Sequence, residues 1–403
     1  MNVVVAQLGA RMHYAVPRIL HRAGRLERLY TDICARKGWP GLIRHVPRAW
    51  RPARLQRLAA RVPEGIPASR ITAFTGFGLD YARRYARARN AEERDQTFLW
   101  AGREFCRRVA ARGFGKAGAV YGFNSASLEI FQEARRHGVR AILEQTIAPR
   151  SIERVLMREE REQFSDWEQP ERDSSAMDDF CAREAAEWSA ADLIVCGSPF
   201  VKEGIVVCGG EEKRCVVVPY GINAIAAPRT ARAPGPLRVL TVGAICLRKG
   251  SPYVLAAAEE LAGRAEFRMV GAVQVSREAE QLLRRHVTLT GVLPRTEIAA
   301  QYAWADVFFL PSLCEGSATV TYEAMAHGLP VICTPQTGST VRDGVDGFVI
   351  PMRKTEAAVK KIGLLAAEPE LLARMSADAR TASTGFTVEK YGERLLAAFE
   401  ERP

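Results

Sequence analysis

The sequence predicts an α/β fold of two doubly wound parallel-sheet domains facing a cleft, and three observations carry that expectation. A chain of 403 residues is too long for one ordinary domain and comfortable for two. Short apolar runs alternate with helical stretches along nearly the whole chain, the pattern of strands covered by helices. The stretch 224–236, AIAAPRTARAPGP, lacks apolar periodicity, and a fresh alternating series starts after it. Apolar residues make up 47% of the chain, enough for two cores and too many for a disordered chain.

Val3 to Leu8 reads as the first strand, and Gly9-Ala10 turns the chain into an amphipathic helix around Val16 to Leu29. Residues 36–90 are Arg-rich, broken by Pro and Gly, and give no clear period; 92–111 read as helix. Further strands are Ala119 to Phe123, Ala141 to Glu144, Leu193 to Cys196 and Cys215 to Val218, with helices near Ile152 to Phe164 and Met177 to Ser189. Beyond the linker the strands are Arg238 to Val242, Glu266 to Val270, Val287 to Leu289, Val307 to Leu310, Pro330 to Cys333 and Gly347 to Ile350. A last amphipathic helix spans Val388 to Glu400. The expected organisation is a domain over 1–223, a linker over 224–236, a second domain over 237–385, and a closing segment, 386–403. In such paired sheets ligands bind at the carboxyl ends of the strands.

The nine cysteines are odd in number, lack C-x-x-C spacing and sit mostly in apolar runs, which predicts buried, reduced thiols and neither disulfides nor a zinc site. Met1 to Leu8 has no basic flank and Arg11 interrupts it, and no apolar run approaches the ~20 residues of a membrane span. A cytoplasmic protein is expected, peripheral at most at the inner face of the membrane. Charge is uneven. Residues 1–150 hold 28 Lys+Arg against 11 Asp+Glu, +17, and residues 151–403 hold 29 against 35, −6, summing to the overall +11. A basic face suits anionic lipid or an anionic acceptor, set against the plainer reading of solvated arginines. No aromatic-interleaved basic motif points to nucleic acid. Ile66, Ile71, Phe74, Phe77 and Leu79, inside the stretch from Arg44 to Arg94, are the apolar residues expected to dip into a lipid interface.

The chemistry concentrates in residues 307–333, VFFLPSLCEGSATVTYEAMAHGLPVIC. A strand ends at Pro311, a loop carries Glu315, Gly316 and Ser317, and a helix runs from Thr319 to Ala326 until His327-Gly328 stops it. Free backbone N–H groups at such a helix start bind phosphate or a sugar hydroxyl, and the small residues Gly316, Ser317 and Ala318 allow close approach. Glu315 alone reads as a helix-dipole carboxylate and Glu323 alone as a surface residue. Glu323, however, sits between Tyr322 and Ala324-Met325-Ala326 on a helix that looks buried, so its carboxylate needs a partner, and a ribose diol supplies two hydroxyls.

This segment closely resembles the retaining glycosyltransferases of family four, of GT-B fold, whose signature is two glutamates separated by seven residues. Glu315, Gly316, Glu323, Ala324, Ala326, Gly328, Pro330, Val331 and Ile332 fall at the matching positions. The resemblance covers most of residues 190–403. It includes Val217 to Asn223 (the family's V-P-N-G-I-D), Leu240 to Gly243 with Arg248-Lys249-Gly250, Gly291-Val292-Leu293, Asp306 to Ser312 and Phe386 to Tyr391. It implies two Rossmann-like domains, with a nucleotide-sugar donor in the C-terminal half and a saccharide, lipid-linked or small-molecule acceptor in the N-terminal half. Transfer of a hexose would proceed with retention and without metal or other cofactor. Glu315 then contacts the donor sugar, the backbone of Gly316, Ser317, Ala318 and Thr319 holds sugar and diphosphate, Glu323 binds the ribose, and Gly9, Gly243 and Leu293 complete the donor site.

Lys249 and Arg248 are the catalytic cations expected to stabilise charge on the departing diphosphate. The family's second cation directly follows the glycine matched by Gly243, where this sequence has Ala244, and Arg248 is the candidate replacement. Where members often place a histidine, this chain has Glu144, Gln145 and Thr146. Glu144 and Gln145, with His13 and Tyr14 at the start of the first helix, are the acceptor-side candidates; a lone histidine is more often structural. A hydrolase is disfavoured because no second carboxyl pair faces one bond. A dehydrogenase is disfavoured because no G-x-G-x-x-G follows a first strand. A nucleotide-sugar-binding protein without efficient turnover is the remaining alternative, supported by Ala244 and the missing histidine.

Overall fold

The computed structural model describes residues 1–47, 50–169, 175–223 and 235–400. Among the described residues, thirteen strands form two sheets. The first sheet holds β1 (Val3–Gln7), β2 (Leu26–Thr31), β3 (Ile71–Ala73), β4 (Ala119–Phe123), β5 (Arg140–Gln145), β6 (Leu193–Cys196) and β7 (Cys215–Val217). Its order is β3-β2-β1-β4-β5-β6-β7. The second holds β8 (Leu237–Val242), β9 (Ala265–Val270), β10 (Val287–Leu289), β11 (Val307–Leu310), β12 (Val331–Cys333) and β13 (Gly347–Val349), in the order β10-β9-β8-β11-β12-β13. Every pairing is parallel. Helices cover both faces of each sheet, so the central strands are apolar without alternation: β1, β4, β6 and β11 are buried at every residue. This is the GT-B architecture of two Rossmann-like domains. Most of the predicted linker, residues 224–234, lies outside the described residues.

One expected element is corrected. The first helix stops at Arg22, and Leu26–Thr31 is strand β2. Gly24, in the left-handed region at φ +69°, breaks the helix. Leu26 and Leu29 continue the helical spacing of the apolar residues before them, which masked the change. The irregular stretch contains 3₁₀ turns (Trp39–His45), a short helix (Ala53–Ala59), β3 and a helix over Thr75–Arg87. Ile66, Ile71 and Phe77 are core residues there, and Phe74 and Leu79 are half-buried, so they are not the lipid-dipping residues expected of them.

Two features tie the halves together. The helix Val388–Glu400 returns to the first sheet, where Val388, Tyr391, Leu395 and Phe399 join its core. Main-chain bonds Ile222 N–H to Phe386 O (2.8 Å) and Val388 N–H to Ile222 O (2.9 Å) mark that return. The helix Arg150–Gln163 and the turn after it reach the other way. Trp167 packs on the second domain's core, and Arg353 donates to Glu160 at 2.9 Å and Glu159 at 2.8 Å. All nine cysteines are free thiols, most of them buried.

Candidate active site

The cleft between the sheets holds a cavity of about 680 Å³ lined from both halves. Ala10, Met12 and His13 face it from the first domain; Leu293, Tyr302, Thr319 and Glu323 face it from the second. The first-domain side is an unusual loop. Met12, His13 and Tyr14 all adopt left-handed backbone angles, φ 45°, 50° and 60°, which cost energy in side chains other than glycine. Fixed contacts hold the loop there. The Gln7 amide donates to the Gly9 and Arg11 carbonyls at 3.0 and 3.2 Å, and Gly9 N–H donates to Asp32 at 3.1 Å. Arg11 donates to the Thr146 hydroxyl at 2.8 Å, which in turn donates to Asn124.

On the other side the helix Thr319–Ala326 starts with no side-chain cap, and Thr319 fronts the cavity. One turn on, Glu323 accepts a hydrogen bond from the Tyr302 hydroxyl at 2.9 Å. Burial and the Glu323 charge push the Tyr302 phenol well above its ordinary range, so it stays a donor. The His327 ring stacks on Tyr302 at 5.0 Å and also lines the cavity. Tyr302 and His327 as cavity walls carried no signal in the sequence, since Tyr302 comes from a different helix, Arg295–Trp304.

The cations meet the other glutamate. Lys249 Nζ lies 2.7 Å from Glu315 Oε1, and Arg248 Nη1 lies 2.9 Å from the same oxygen. Arg248 also donates to the Cys314 carbonyl at 2.7 Å and approaches Glu153, on the first domain's helix, at 3.8 Å. Burial works against the Arg248 charge, but Glu315 and Glu153 outweigh it and hold the guanidinium firmly protonated. Gly243 stands at φ +146° beside this group, and a Cβ there would come within 3.2 Å of Lys249 Cε. The glycine therefore keeps open the channel along which the lysine, only 8% exposed, reaches Glu315. A solvated lysine opening a helix does not describe this residue.

The structure relocates several predicted site residues. Tyr14 is fully buried, its hydroxyl on the Ile33 carbonyl at 3.4 Å, so it is a core residue and does not face the cleft. Glu144 is buried between the Tyr121 and Tyr220 hydroxyls, which donate to it at 2.5 and 2.8 Å. Gln145 is buried among Glu184, Trp188 and the Ile147 carbonyl. Both lie inside the first domain, and neither is among the residues that line the cavity. In the Gly316–Ala318 stretch, small size serves domain contact. A Cβ at Gly316 would strike the Thr146 carbonyl of the first domain, and Ser198 Oγ donates to Gly316 O at 2.5 Å. Ser317 Oγ pairs with the Tyr322 hydroxyl at 2.7 Å, and Ala318 N–H is donated to Thr337 O at 3.0 Å. Of the four residues expected to hold the donor by their backbone, Thr319 is the one that fronts the cavity. His13 is exposed at the cavity wall as expected, and Gly9 shapes the loop through φ +85°.

Two Rossmann-like sheets facing an open cavity, with an uncapped helix start and a glutamate in its lining, define a protein of GT-B fold. Residues 236–368 match the family model described as Glycosyl transferases group 1. Among curated relatives, a glycosyltransferase of Haemophilus influenzae described as uncharacterized is 30% identical over 161 residues, 38% of this chain and 46% of that one. A D-inositol 3-phosphate glycosyltransferase of Xylanimonas cellulosilytica is 27% identical over 53% of this chain and 58% of its own. The chain thus spans about half the length of these curated relatives. Over its whole length the fold is similar to HepE of Anabaena, solved in complex with UDP and glucose. That likeness has a TM-score of 0.64 at 13% identity and covers 99% of both chains.

Proposed function

We propose that the protein is a retaining, metal-independent glycosyltransferase of family four that moves a hexose from a nucleotide-sugar to a saccharide, lipid-linked or small-molecule acceptor. The observation that carries the reading is the shared cavity, with Thr319 at the helix start and Glu323 in its lining; the Lys249–Glu315–Arg248 cluster does not line the cavity but lies behind Gly243, the neighbour of the lining residue Val242. In this reading Glu323 accepts the ribose hydroxyls while Tyr302 holds its carboxylate in place. The helix start and Lys249 receive the diphosphate. Glu315 turns from its cations to a sugar hydroxyl once the phosphates neutralise them.

Transfer forms the bond from the acceptor oxygen to the anomeric carbon and breaks the bond from that carbon to the phosphate oxygen. The acceptor proton passes to the leaving diphosphate on the same face. Lys249 and Arg248 stabilise the charge that grows on the diphosphate, and so act most strongly in the transition state. Arg248 fills the cation's place left by Ala244.

The test is a thermal-shift screen against UDP-, GDP- and ADP-sugars, starting from UDP-sugars because HepE was solved with UDP and glucose. A ligand that binds only the folded state raises the melting temperature. The cognate donor shifts it, and transfer with that donor yields an α- or β-linkage matching the donor anomer. The alternative, a nucleotide-sugar-binding protein without efficient turnover, draws on Ala244. It predicts the shift without product.

A further inference from the structure

Residues 33–63 hold seven arginines and one lysine and no Asp or Glu. Four large apolar side chains on this segment face solvent: Trp39 (49% exposed), Leu42 (68%), Val46 (37%) and Trp50 (78%). These are the two exposed tryptophans of the chain's six; the other four are buried or half-buried. Scattered single exposed apolar residues need no explanation, but four within twelve residues on an acid-free cationic segment do.

The segment is anchored. Pro40, Ile43 and Ala59 are buried beneath it. Ala35 N–H donates to the Arg61 carbonyl at 2.8 Å, and Arg51 caps the turn at Val46 O at 2.7 Å. Arg61 pairs with Asp32 at 2.8 Å, and Asp32 also receives Gly9 N–H of the cleft loop. One carboxylate therefore joins this surface to the loop that lines the cavity.

We propose that residues 36–47 and 50–57 form a docking surface for an anionic lipid bilayer, with Trp39, Leu42, Val46 and Trp50 entering the headgroup region and the exposed cations Arg36, Lys37 and Arg57 meeting lipid phosphates. Tryptophan suits that boundary because its ring is apolar while its N–H keeps a polar partner. Basic groups add attraction to anionic lipid that decays within a Debye length. Bases of a single strand could stack on the exposed indoles, but the aliphatic Leu42 and Val46 have no partner in a nucleic acid and do have one in a bilayer. The surface is a different one from the apolar set expected in the sequence, which is largely core. It stands apart from the transfer reading, since vesicle binding is measured without donor.

The experiment is co-sedimentation of the full chain with phosphatidylcholine vesicles, with and without about a third phosphatidylglycerol, at low and high salt. Binding to the anionic vesicles alone, lost at high salt, is expected. The exposed cations Arg36 and Arg57, changed to Gln, should each weaken it by about fivefold, the equivalent of ~1 kcal/mol per surface cation. Trp39→Ser/Trp50→Ser should weaken it by about tenfold or more at unchanged melting temperature. Trp39→Phe/Trp50→Phe should keep binding but lose fluorescence quenching by brominated lipid. Equal binding to neutral vesicles, indifference to the Trp→Ser changes, or quenching that survives in the Phe variant would each overturn the proposal. So would tight binding to an oligonucleotide with none to vesicles, which would assign the surface to nucleic acid.

Discussion

The Lys249 ammonium and the Glu315 carboxylate are 2.7 Å apart, with side chains only 11% and 12% exposed, and Arg248 reaches the same carboxylate oxygen at 2.9 Å. Two cations share this carboxylate oxygen, and Glu153, 3.8 Å from Arg248, is held by Arg150 at 2.6 Å, so three cations face two carboxylates and the cluster keeps a net positive charge that a diphosphate can take up. Removing Lys249 should therefore harm the step in which phosphate charge grows more than it harms donor binding. Lys249→Ala is expected to lower kcat by about 10²–10³, the scale of losing one transition-state electrostatic contact. KM for the donor should change far less, and steady-state kinetics reads the split. Arg248→Ala should show the same signature if it fills the place of the cation absent at Ala244. A normal kcat there would leave that role empty.

Glu323→Ala should weaken nucleotide binding with the fold intact. The carboxylate accepts the Tyr302 hydroxyl at 2.9 Å and lines the cavity. Losing a charged hydrogen-bond acceptor costs roughly 1.5–3 kcal/mol, or about 10- to 100-fold in Kd by calorimetry. Tyr302→Phe, which removes only the orienting hydroxyl, should cost less. Unchanged affinity in Glu323→Ala would take the ribose role away from it.

The second domain was legible nearly residue by residue because its strands, such as Val307–Leu310, are short continuous apolar runs bounded by turn residues. In the first domain β2 was hidden because Leu26 and Leu29 fit a helical period, and β3, at three residues, is too short to show any period. At the site, Glu315 and Glu323 were legible as a spaced pair, and Lys249 as a cation beside a glycine. Glu144, Gln145 and Tyr14 were not, because burial depends on partners far along the chain. Tyr220 lies 76 residues from Glu144, and Trp188 lies 43 from Gln145. The tight packing of Gly316 on Thr146 is likewise a contact between domains, which local sequence does not encode.

The domain arrangement should depend on Arg353. Its guanidinium contacts Glu160, Glu159 and the Leu156 carbonyl, all on the helix Arg150–Gln163. Glu160 is fully buried, so truncating the arginine strands a buried carboxylate. Arg353→Ala should lower stability by roughly 1–3 kcal/mol in urea titration, from the unsatisfied polar group left behind. It should also broaden the interdomain distance distribution in small-angle scattering. An unchanged scattering profile would confine the arginine to local packing.

Glu144 supplies the last prediction. Burial raises its carboxyl above the usual range, against the opposing hydrogen bonds from Tyr121 and Tyr220. The folded protein therefore holds that proton more tightly than the unfolded chain, whose value lies near ~4.3. Stability from this group is full below the unfolded value and is lost as pH rises through the folded one. A glutamine does not titrate. The stability of Glu144→Gln relative to the parent should thus improve as pH is raised from acid to neutral, read by urea titration at several pH values. Transfer activity should persist in the variant, since the side chain lies inside the first domain between two tyrosines. A stability difference that moves the opposite way with pH would show that the carboxylate is held charged by its tyrosines. Loss of transfer with the fold intact would return Glu144 to the acceptor side of the reaction.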